Sequence, residues 1–516
     1  MASNFNKAHN FQIDNYHYVN VSPSTDPLSR LEVRITASAI HDSAERCDAP
    51  KCHPDTRVAA QDDLYSWIVD GDGESEHPMK MKWVTGPAGS GKTAVMGSLA
   101  DRCRANGLLG ASFFFASWSA SIGRRRKTSF VSTIAYQLAE YGEDLKNAIS
   151  HAIEKSPSVF EKNLHVQMET LVLAPLRDVA LQPDRKQLQG AIIIDGVDEC
   201  EAEQYHDESR VKLPPTRTND RDQLEILQVL QVASSDCSFP FRILIASRPE
   251  RVFREFFDPE NNLTPFAHKL DLHEDYNADA DITLFLEAQF NRLRRRYNLH
   301  PSWLPPNAVK NLVDRASGQF IYASTVIRFL ETGHWELPKG LLEAVLNIEA
   351  KMTSNPLEQL DALYSHILES SPNPLLSVRW IRSIQELNRV RSSYASNIHL
   401  LLQMDPESNE AEHLLGNLHS LIRVPPLSKQ AAAEYSFYHK SLFDFLRDSD
   451  RCGKLHIQYE EALGFLWDRF NRSCATSADW WVLLAISLKK DESLWAIFRE
   501  VHTSVRTVLN ALQILI

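Results

Sequence analysis

The sequence predicts an α/β protein: a domain with an open, doubly wound parallel sheet, followed by regions that are mostly helical. Apolar runs typical of buried strands alternate with helical runs between residues 80 and 250, as in a parallel sheet with helices on both faces. After Pro249 the strand-like runs mostly disappear. Glycine is also scarce, with 18 residues in 516, which argues against a glycine-rich β or fibrous protein.

Four apolar runs are the predicted strands, namely MKWVT (81–85), LLGASFFF (108–115), GAIIIDG (190–196) and FRILIASR (241–248). Helical periodicity predicts helices over 61–69, 91–107, 129–153, 222–234, 276–345, 355–370 and 455–516. The run 129–153 is predicted as one long amphipathic helix. Between residues 376 and 450, helices are mixed with one short strand-like piece, AEYSFYHK (433–440).

Charge and composition exclude several classes of protein. The net charge is −12, so a generally basic nucleic-acid binder is disfavoured. Seven cysteines, an odd and sparse set in a long chain, indicate a reducing compartment and no disulfide framework. The first residues are polar and lack an apolar h-region, so no signal peptide is expected, and the uncharged stretch 107–123 is too rich in Gly and Ser for a bilayer span. We therefore expect a cytoplasmic protein without a membrane span.

The segment GPAGSGKT fits the phosphate-binding pattern GxxxxGK[ST] at every fixed position, between a predicted strand and a predicted helix. Glycines allow such a loop to point its N–H groups at a phosphate, and the helix N-terminus favours the anion. Lys92 would contact the β- and γ-phosphates, and the Thr93 hydroxyl would bind Mg²⁺. The residues predicted to hold ATP or ADP are Gly86, Pro87, Ala88, Gly89, Ser90, Gly91, Lys92, Thr93 and Ala94.

A second motif follows the apolar strand that ends at Asp195. Asp195 would hold Mg²⁺ directly or through water, and Asp198 or Glu199 would orient or deprotonate the attacking water. The spacing does not decide between these two acids. One strand, 108–115, separates the two motifs in the sequence, which fits NTPases that insert a strand between their Walker strands.

The strand 241–248 ends in Ser247 and Arg248, where the phosphates are expected at the carboxyl ends of the strands. Arg248 would sense the γ-phosphate through a charge-assisted hydrogen bond, and we count it with Asp198 and Glu199 as a candidate catalytic residue. The alternative is a plain surface arginine.

Together, GPAGSGKTA, AIIIDGVDEC and RILIASRPE resemble the NACHT NTPases of the STAND class. The resemblance is closest to fungal NLR-like proteins with a nephrocystin-type N-terminal domain, and it covers roughly residues 30–450. These proteins place a small residue after the Walker B aspartate and an acidic pair beyond it, which Gly196, Asp198 and Glu199 match. The flanking stretches ERCDAPKCHPDTR (45–57) and ASGQFIYASTVIRFL (316–330) agree less specifically.

The resemblance implies a P-loop NTPase core followed by helical and winged-helix domains. We expect an N-terminal segment and linker (1–79), a NACHT domain (80–255), a helical domain (256–350), a winged-helix-like domain (351–450) and a second helical region (451–516). Two departures stand out: no large effector domain fits before the NTPase, and no sensor repeats follow it. Truncation or a small family member would both explain the end of the chain.

His439 is the last candidate site residue. It lies in AEYSFYHKSLFDFL, which resembles the end of a STAND winged-helix domain, where the family carries a histidine that contacts the β-phosphate of ADP. The local pattern predicts a strand ending at His439 and a helix beginning near Ser441. The alternative is a histidine capped within its own domain.

The resemblance implies a nucleotide-operated switch. ADP would hold a closed monomer, and ATP would favour an open form that oligomerises and signals to an unidentified effector protein, in fungal self/non-self recognition or defence. One alternative is a constitutive P-loop ATPase or nucleic-acid motor, which the negative charge disfavours. Another is a scaffold that binds nucleotide without hydrolysing it, against which Asp198 and Glu199 argue.

Three weaker patterns have simpler interpretations. The spacing of Cys47, Cys52 and His53 favours a linker over a zinc site. The basic run 124–127 is predicted as a solvated loop, with nucleic-acid or phosphate contact as the alternative. Trp480 and Trp481 are expected in a core or an interface, and residues 1–22 as an edge or disordered segment in preference to a self-pairing strand.

Overall fold

A computed structural model describes residues 26–47, 49–72, 78–119, 121–181, 188–202, 218–261, 265–331, 338–348, 357–390, 394–403, 409–425 and 427–474. The predictions for residues 1–22 and for Trp480 and Trp481 lie outside these residues. Within the described part of the chain, no helix is both long and apolar enough to cross a bilayer.

The predicted fold class is confirmed. Five parallel strands form one sheet in the order β2-β3-β4-β1-β5. The strands are β1 (Met81–Thr85), β2 (Leu109–Phe114), β3 (Gly190–Asp195), β4 (Phe241–Ala246) and β5 (Ala267–Asp271). Every residue of β1, β2 and β3 is buried, because helices cover both faces of the sheet.

The helices around the sheet form two layers. They are α1 (Pro27–Glu32), α2 (Val58–Asp70), α3 (Lys92–Ala105), α4 (Ile122–Arg125), α5 (Phe130–Tyr141), α6 (Glu143–Lys155), α7 (Leu164–Met168), α8 (Ala174–Ala180), α9 (Asn219–Ser235) and α10 (Arg251–Phe257). On one face, α2 and α3 bury apolar side chains against the sheet. On the other face, α5 to α9 enclose a second apolar core. This arrangement is the doubly wound architecture expected from the sequence.

Three details of the predicted α/β part are wrong. The run 129–153 is two helices, α5 and α6, because Gly142 between them has an extended backbone (φ −170°, ψ 149°). A further strand, β5, follows Pro249. Its residues AHKLD are mostly polar or half-exposed at the sheet edge, so they lack an apolar run. The strand at 108–115 lies between the two motifs in the sequence, but in the sheet it is β2, an edge strand beside β3. The strand that separates β1 from β3 in the sheet is β4.

The basic run 124–127 is also not a solvated loop. Arg124, Arg125 and Lys127 are each at most 3% exposed. Arg124 pairs with Glu45 at 2.7 Å, and Lys127 pairs with Asp222 at 3.0 Å. These acids come from distant parts of the sequence, and their charges allow the cations to be buried.

The C-terminal part combines helices with a two-stranded antiparallel ribbon. The helices are α11 (Ala278–Arg296), α12 (Ala308–Ala316), α13 (Phe320–Glu331), α14 (Pro338–Leu346), α15 (Glu358–Glu369), α16 (Pro374–Val390), α17 (Ala395–Leu402), α18 (Glu410–Leu415), α19 (Ser441–Arg447), α20 (Ser449–Cys452) and α21 (Tyr459–Cys474). The ribbon pairs β6 (Ile422–Arg423) with β7 (Ser436–Phe437). One continuous apolar core runs through this part, from Ile282 to Leu466. The domain boundaries at 255, 350 and 450 therefore stay predictions.

Candidate nucleotide-binding site

The phosphate-binding loop connects β1 to α3 at the carboxyl edge of the sheet. Gly86, Gly89 and Gly91 have φ values of 151°, 80° and 95°, a region that side chains with a Cβ rarely adopt. The N–H of Val95 donates to the carbonyl of Gly91 at 3.0 Å, so helical bonding starts directly after the loop. The loop is therefore positioned to place backbone N–H groups and a helix N-terminus around a phosphate.

Lys92 lies inside this loop. Its Nζ donates to the carbonyls of Gly86 at 2.6 Å and Pro87 at 2.9 Å. Burial lowers the pKa of Lys92 to about 8, against the attraction of Asp198. The ammonium also interacts with the charges of Asp195, Glu199 and Arg248. The structure thus brings together the predicted phosphate-binding lysine and the acids after β3.

Asp195 and Thr93 form the candidate metal-binding pair. Asp195 is the last residue of β3 and accepts a hydrogen bond from the side chain of Thr93. Burial raises the pKa of Asp195 to about 6. A carboxylate and a hydroxyl are oxygen ligands of the kind that Mg²⁺ prefers, so these two residues fit the predicted metal site. A bound Mg²⁺ would neutralise phosphate charge there.

Asp198 and Glu199, the two candidate hydrolytic acids, have different partners. Asp198 accepts from the backbone N–H of Arg248 at 3.2 Å, and Arg248 Nε lies 3.5 Å from its other carboxylate oxygen. Glu199 accepts from the N–H and the hydroxyl of Ser117, at 3.0 and 3.3 Å. Burial raises the pKa of Glu199, while the charge of Lys440 acts in the opposite direction. Asp198 is thus directed toward β4 and Glu199 toward β2.

Arg248 connects the sheet to the C-terminal part of the chain. Its guanidinium donates to Asp444 in α19 at 2.8 Å and lies beside Asp198. Its side chain is 19% exposed, which is too buried for a plain surface arginine. The role of γ-phosphate sensor stays a prediction, although Arg248 lies at the predicted edge of the sheet.

His439 lies in the junction between β7 and α19. Its Nδ1 accepts from the N–H of Ser441 at 3.0 Å and lies 2.7 Å from the Ser441 hydroxyl. The proton of the neutral ring is therefore on Nε2. Burial, followed by the positive charge of Arg248, lowers the pKa of His439 to about 3, and Lys92 contributes in the same direction. The ring is thus capped within its own region and also interacts with two cations of the candidate site.

Arg57 is a site residue that the sequence does not predict, because its pattern places residues 1–79 in an N-terminal segment and linker. It is 3% exposed, and its guanidinium donates to the carbonyls of Ser90 at 3.1 Å and Leu272 at 2.9 Å. Its Cζ lies 5.2 Å from the centre of the Phe320 ring. Arg57 therefore joins the phosphate-binding loop to the strand edge and to α13. The sequence feature that points to Arg57 is its position at the end of the stretch 45–57, which agrees with the family resemblance.

The start of α13 packs on the phosphate-binding loop. The N–H of Ile321 donates to the carbonyl of Gly89 at 3.3 Å. A Cβ at Gly89 would lie 2.1 Å from Cγ2 of Ile321, so only glycine fits this contact. The C-terminal helices thus touch the site at two places, at Gly89 in the loop and at Arg248 after β4.

The cysteine-containing segment before α2 packs on α3, where the N–H of Cys52 donates to the Ser98 hydroxyl at 3.0 Å, so it is not a free linker. Cys52 is half-buried, and burial raises its pKa to about 11, which disfavours a thiolate ligand. His53 Nδ1 lies 2.7 Å from the carbonyl oxygen of Pro54. Among the residues that the structure describes, no group of three or more His, Cys, Asp or Glu side chains is placed to hold a metal ion.

Residues 59–248 match the sequence model of the family described as "Nephrocystin 3, N-terminal". The matched stretch contains every predicted site residue except His439. It spans well under half of the chain, and no curated protein sequence matches. The geometry within it is that of a P-loop nucleotide-binding fold.

The solved structures that are distantly similar include the following three. Aeropyrum pernix ORC2, in ADPNP and ADP complexes, is 13% identical with a TM-score of 0.32, over 83% of this chain and 97% of that one. Drosophila ORC bound to DNA is 14% identical with a TM-score of 0.31, over 74% and 91%. C. elegans PCH-2 is 11% identical with a TM-score of 0.26, over 61% and 70%. Similarities this slight carry no information about function.

Proposed function

We propose that this chain is an ATP/ADP-operated signalling switch of the NACHT and STAND kind, which binds ATP and hydrolyses it slowly. One observation carries the proposal: Arg248, at the end of β4, is paired with Asp198 beside the loop and with Asp444 in α19. A change of charge at the nucleotide would therefore act on the C-terminal part through the Arg248 side chain. The Arg248–Asp444 pair is mostly buried, and a buried link between the site and the C-terminal part supports a regulated NTPase.

In this proposal ADP and Mg²⁺ stabilise a closed monomer in which α19 lies against the nucleotide site. ATP favours an open form that self-associates and contacts an effector protein. The neutral His439 ring, with its proton on Nε2, is suited to donate to a phosphate oxygen of ADP in the closed form. A cytoplasmic location and a role in fungal self/non-self recognition or defence rest on the family resemblance alone.

A nucleic-acid motor has less support. The longest basic run, 124–127, contributes three side chains that are buried among acids, so it offers no exposed cationic surface for phosphates. A switch needs no such surface. The acidic net charge of the chain argues in the same direction.

A nucleotide-binding scaffold without turnover is the second candidate, and a specific observation favours it. Both candidate acids are occupied by donors from the protein: Asp198 by Arg248, and Glu199 by Ser117. An acid held in this way has to leave its partner before it can orient or deprotonate water.

A single-turnover assay with labelled ATP, combined with sedimentation, separates these functions. Slow hydrolysis with ATP-dependent self-association supports the switch. Tight binding without hydrolysis supports the scaffold. Fast turnover stimulated by nucleic acid contradicts both. Lys92→Ala is the control, because its hydrolysis should fall together with its nucleotide affinity if the activity comes from this site.

A further inference from the structure

Asp444 lies at the fourth position of α19 and binds the arginine that follows β4. Its Oδ2 accepts from Nη1 of Arg248 at 2.8 Å. The Asp444 side chain is 25% exposed and that of Arg248 is 19% exposed. The two residues are 196 positions apart in the sequence, so the contact exists only while α19 lies against the sheet.

The donors of Arg248 are divided between two carboxylates. Its Nε side and its backbone N–H face Asp198, while Nη1 binds Asp444. A guanidinium has donors on a planar fork, and each edge holds one carboxylate or one phosphate. An anion that takes the Nη1 edge must therefore displace Asp444.

The terminal phosphate of ATP is the anion with the best access to this edge. Arg248 follows β4, which lies directly beside β1 and the phosphate-binding loop. Its charge also acts on Lys92 within that loop. ADP lacks the terminal phosphate, so the diphosphate and Asp444 do not compete for the same donors.

We propose that Asp444 determines which nucleotide the closed arrangement accepts, because its carboxylate occupies the edge of Arg248 that the terminal phosphate of ATP would otherwise bind. This inference rests on the proposed nucleotide switch and names the residue that gives it selectivity. Asp444 is a positioning residue, since it acts through Arg248. ATP can bind only after the Arg248–Asp444 pair has separated, and that separation frees α19 from the sheet.

The parent protein tests the first consequence without any substitution. Its affinity for ADP should exceed its affinity for a non-hydrolysable ATP analogue by about tenfold or more, because ATP must first separate the Arg248–Asp444 pair and ADP need not. The ratio is measured by calorimetric titration in the presence of Mg²⁺. Equal affinities for the two nucleotides would overturn the proposal.

The variant test uses Asp444→Asn, which keeps the shape and removes the charge. The ADP-over-ATP preference should fall by about tenfold, and Asp444→Glu should restore it. In an Arg248→Gln background, Asp444→Asn should leave the ratio unchanged, because the competing donor is already absent. Asp450→Asn, an exposed aspartate in α20, removes the same charge nearby and should behave as the parent.

The outcomes separate this inference from the function on which it rests. If the parent binds neither nucleotide, the proposed switch and this inference both fail. If the parent binds both but Asp444→Asn keeps the parent ratio, only the role of Asp444 is wrong. If Asp444→Asn does not fold, Asp444→Ser is measured by the same titration. An ADP-over-ATP preference equal to that of the parent would then equally contradict the role of Asp444.

Discussion

Arg57 donates through its guanidinium to the carbonyl of Ser90, so a buried arginine upstream of α2 holds the phosphate-binding loop. The same side chain donates to the carbonyl of Leu272, directly after β5. Its backbone has a φ of 54°, an uncommon conformation for a side chain of this size. Such strain persists only when the surrounding contacts fix the residue. The loop is therefore supported from outside the motif that defines it.

Replacing Arg57 by lysine should weaken nucleotide binding without touching the motif itself. A lysine has one point charge and cannot bond two carbonyls through a planar fork, so one buried carbonyl loses its donor, at a cost of about 1–3 kcal/mol. We expect a lower melting temperature and an ATP affinity reduced by about tenfold. Both are measured by thermal unfolding with and without nucleotide.

Arg34→Lys is the matched control, because Arg34 is half-exposed and pairs with Glu161 on the surface. That substitution should change neither quantity appreciably. Parent-like nucleotide affinity in Arg57→Lys would mean that the loop is held by its own glycines and by α13 alone.

Replacing Lys92 by alanine should lower nucleotide affinity at least about tenfold, because a charge-assisted contact worth about 1.5–3 kcal/mol is lost. The parent should also gain thermal stability when ATP is added, since a ligand of the native state stabilises it by mass action. The variant should gain little. If Lys92→Ala binds ATP as tightly as the parent, the loop is not the nucleotide site.

The sequence was sufficient for the parts of the site that depend on local pattern. The runs before Gly86 and up to Asp195 are apolar because they lie between two layers of helices, and that burial makes them visible as strands. Gly89 and Gly91 stand where the backbone takes positive φ values. Local sequence also predicted the helix that begins at Ser441, although the strand before His439 ends at Phe437.

The remaining features depend on contacts between distant residues. β5 is an edge strand in which most residues are polar, so no apolar run marks it. Arg57 gains its role from Leu272, 215 positions away. The burial of Lys127 depends on Asp222 in α9. Sequence pattern cannot show which acid meets which base once the chain has folded.

Neutralising the hydrolytic acid should slow turnover while nucleotide binding stays nearly intact. A general base contributes about 10²–10⁴-fold, so either Asp198→Asn or Glu199→Gln should lose that factor in a single-turnover assay. The hydrogen bonds differ: Asp198→Asn also disturbs Arg248, and Glu199→Gln also disturbs Ser117. Ser117→Ala separates the two effects for Glu199. Parent-like hydrolysis in both acid variants would remove the proposal that either is the base.

Metal-dependent nucleotide binding should strengthen as the pH rises through about 6. Burial raises the pKa of Asp195 to about 6, and Mg²⁺ binds the carboxylate in preference to the protonated acid. The folded chain also holds this proton more tightly than the unfolded chain, whose aspartate has a pKa near the ordinary value of 3.8. Without metal, this residue's contribution to stability should therefore decrease as the pH rises from about 4 to about 6.

Calorimetric titration of ATP at several Mg²⁺ concentrations between pH 5 and 8 measures this dependence. Asp195→Asn should weaken the Mg²⁺ requirement and remove the transition near pH 6. Thermal unfolding without metal checks the sign of the stability effect in the same buffers. A Mg²⁺ affinity that does not vary between pH 5 and 7 would contradict the assignment of Asp195 as a ligand.

Replacing His439 by alanine should make the closed form less stable and ADP release faster. If the Nε2–H of His439 donates to ADP only in the closed form, its loss shifts the equilibrium by the full energy of that bond. At about 1.5–3 kcal/mol for a bond to a charged group, the shift is roughly 10- to 150-fold. ADP dissociation should accelerate, and self-association should occur at lower protein concentration, with ATP binding largely kept.

The main complication is that His439 also accepts from the N–H of Ser441 and lies beside the Ser441 hydroxyl, which is 2.8 Å from the hydroxyl of Tyr364. If His439 has only this local role, His439→Ala would therefore destabilise the C-terminal part. Asparagine can still accept a bond from the following helix, as helix-capping residues do, but it does not reproduce the Nε2 donor. His439→Asn should therefore retain the melting temperature of the parent and still release ADP faster. If both variants match the parent in ADP dissociation rate and in sedimentation, His439 only caps α19, and packing alone holds the closed form.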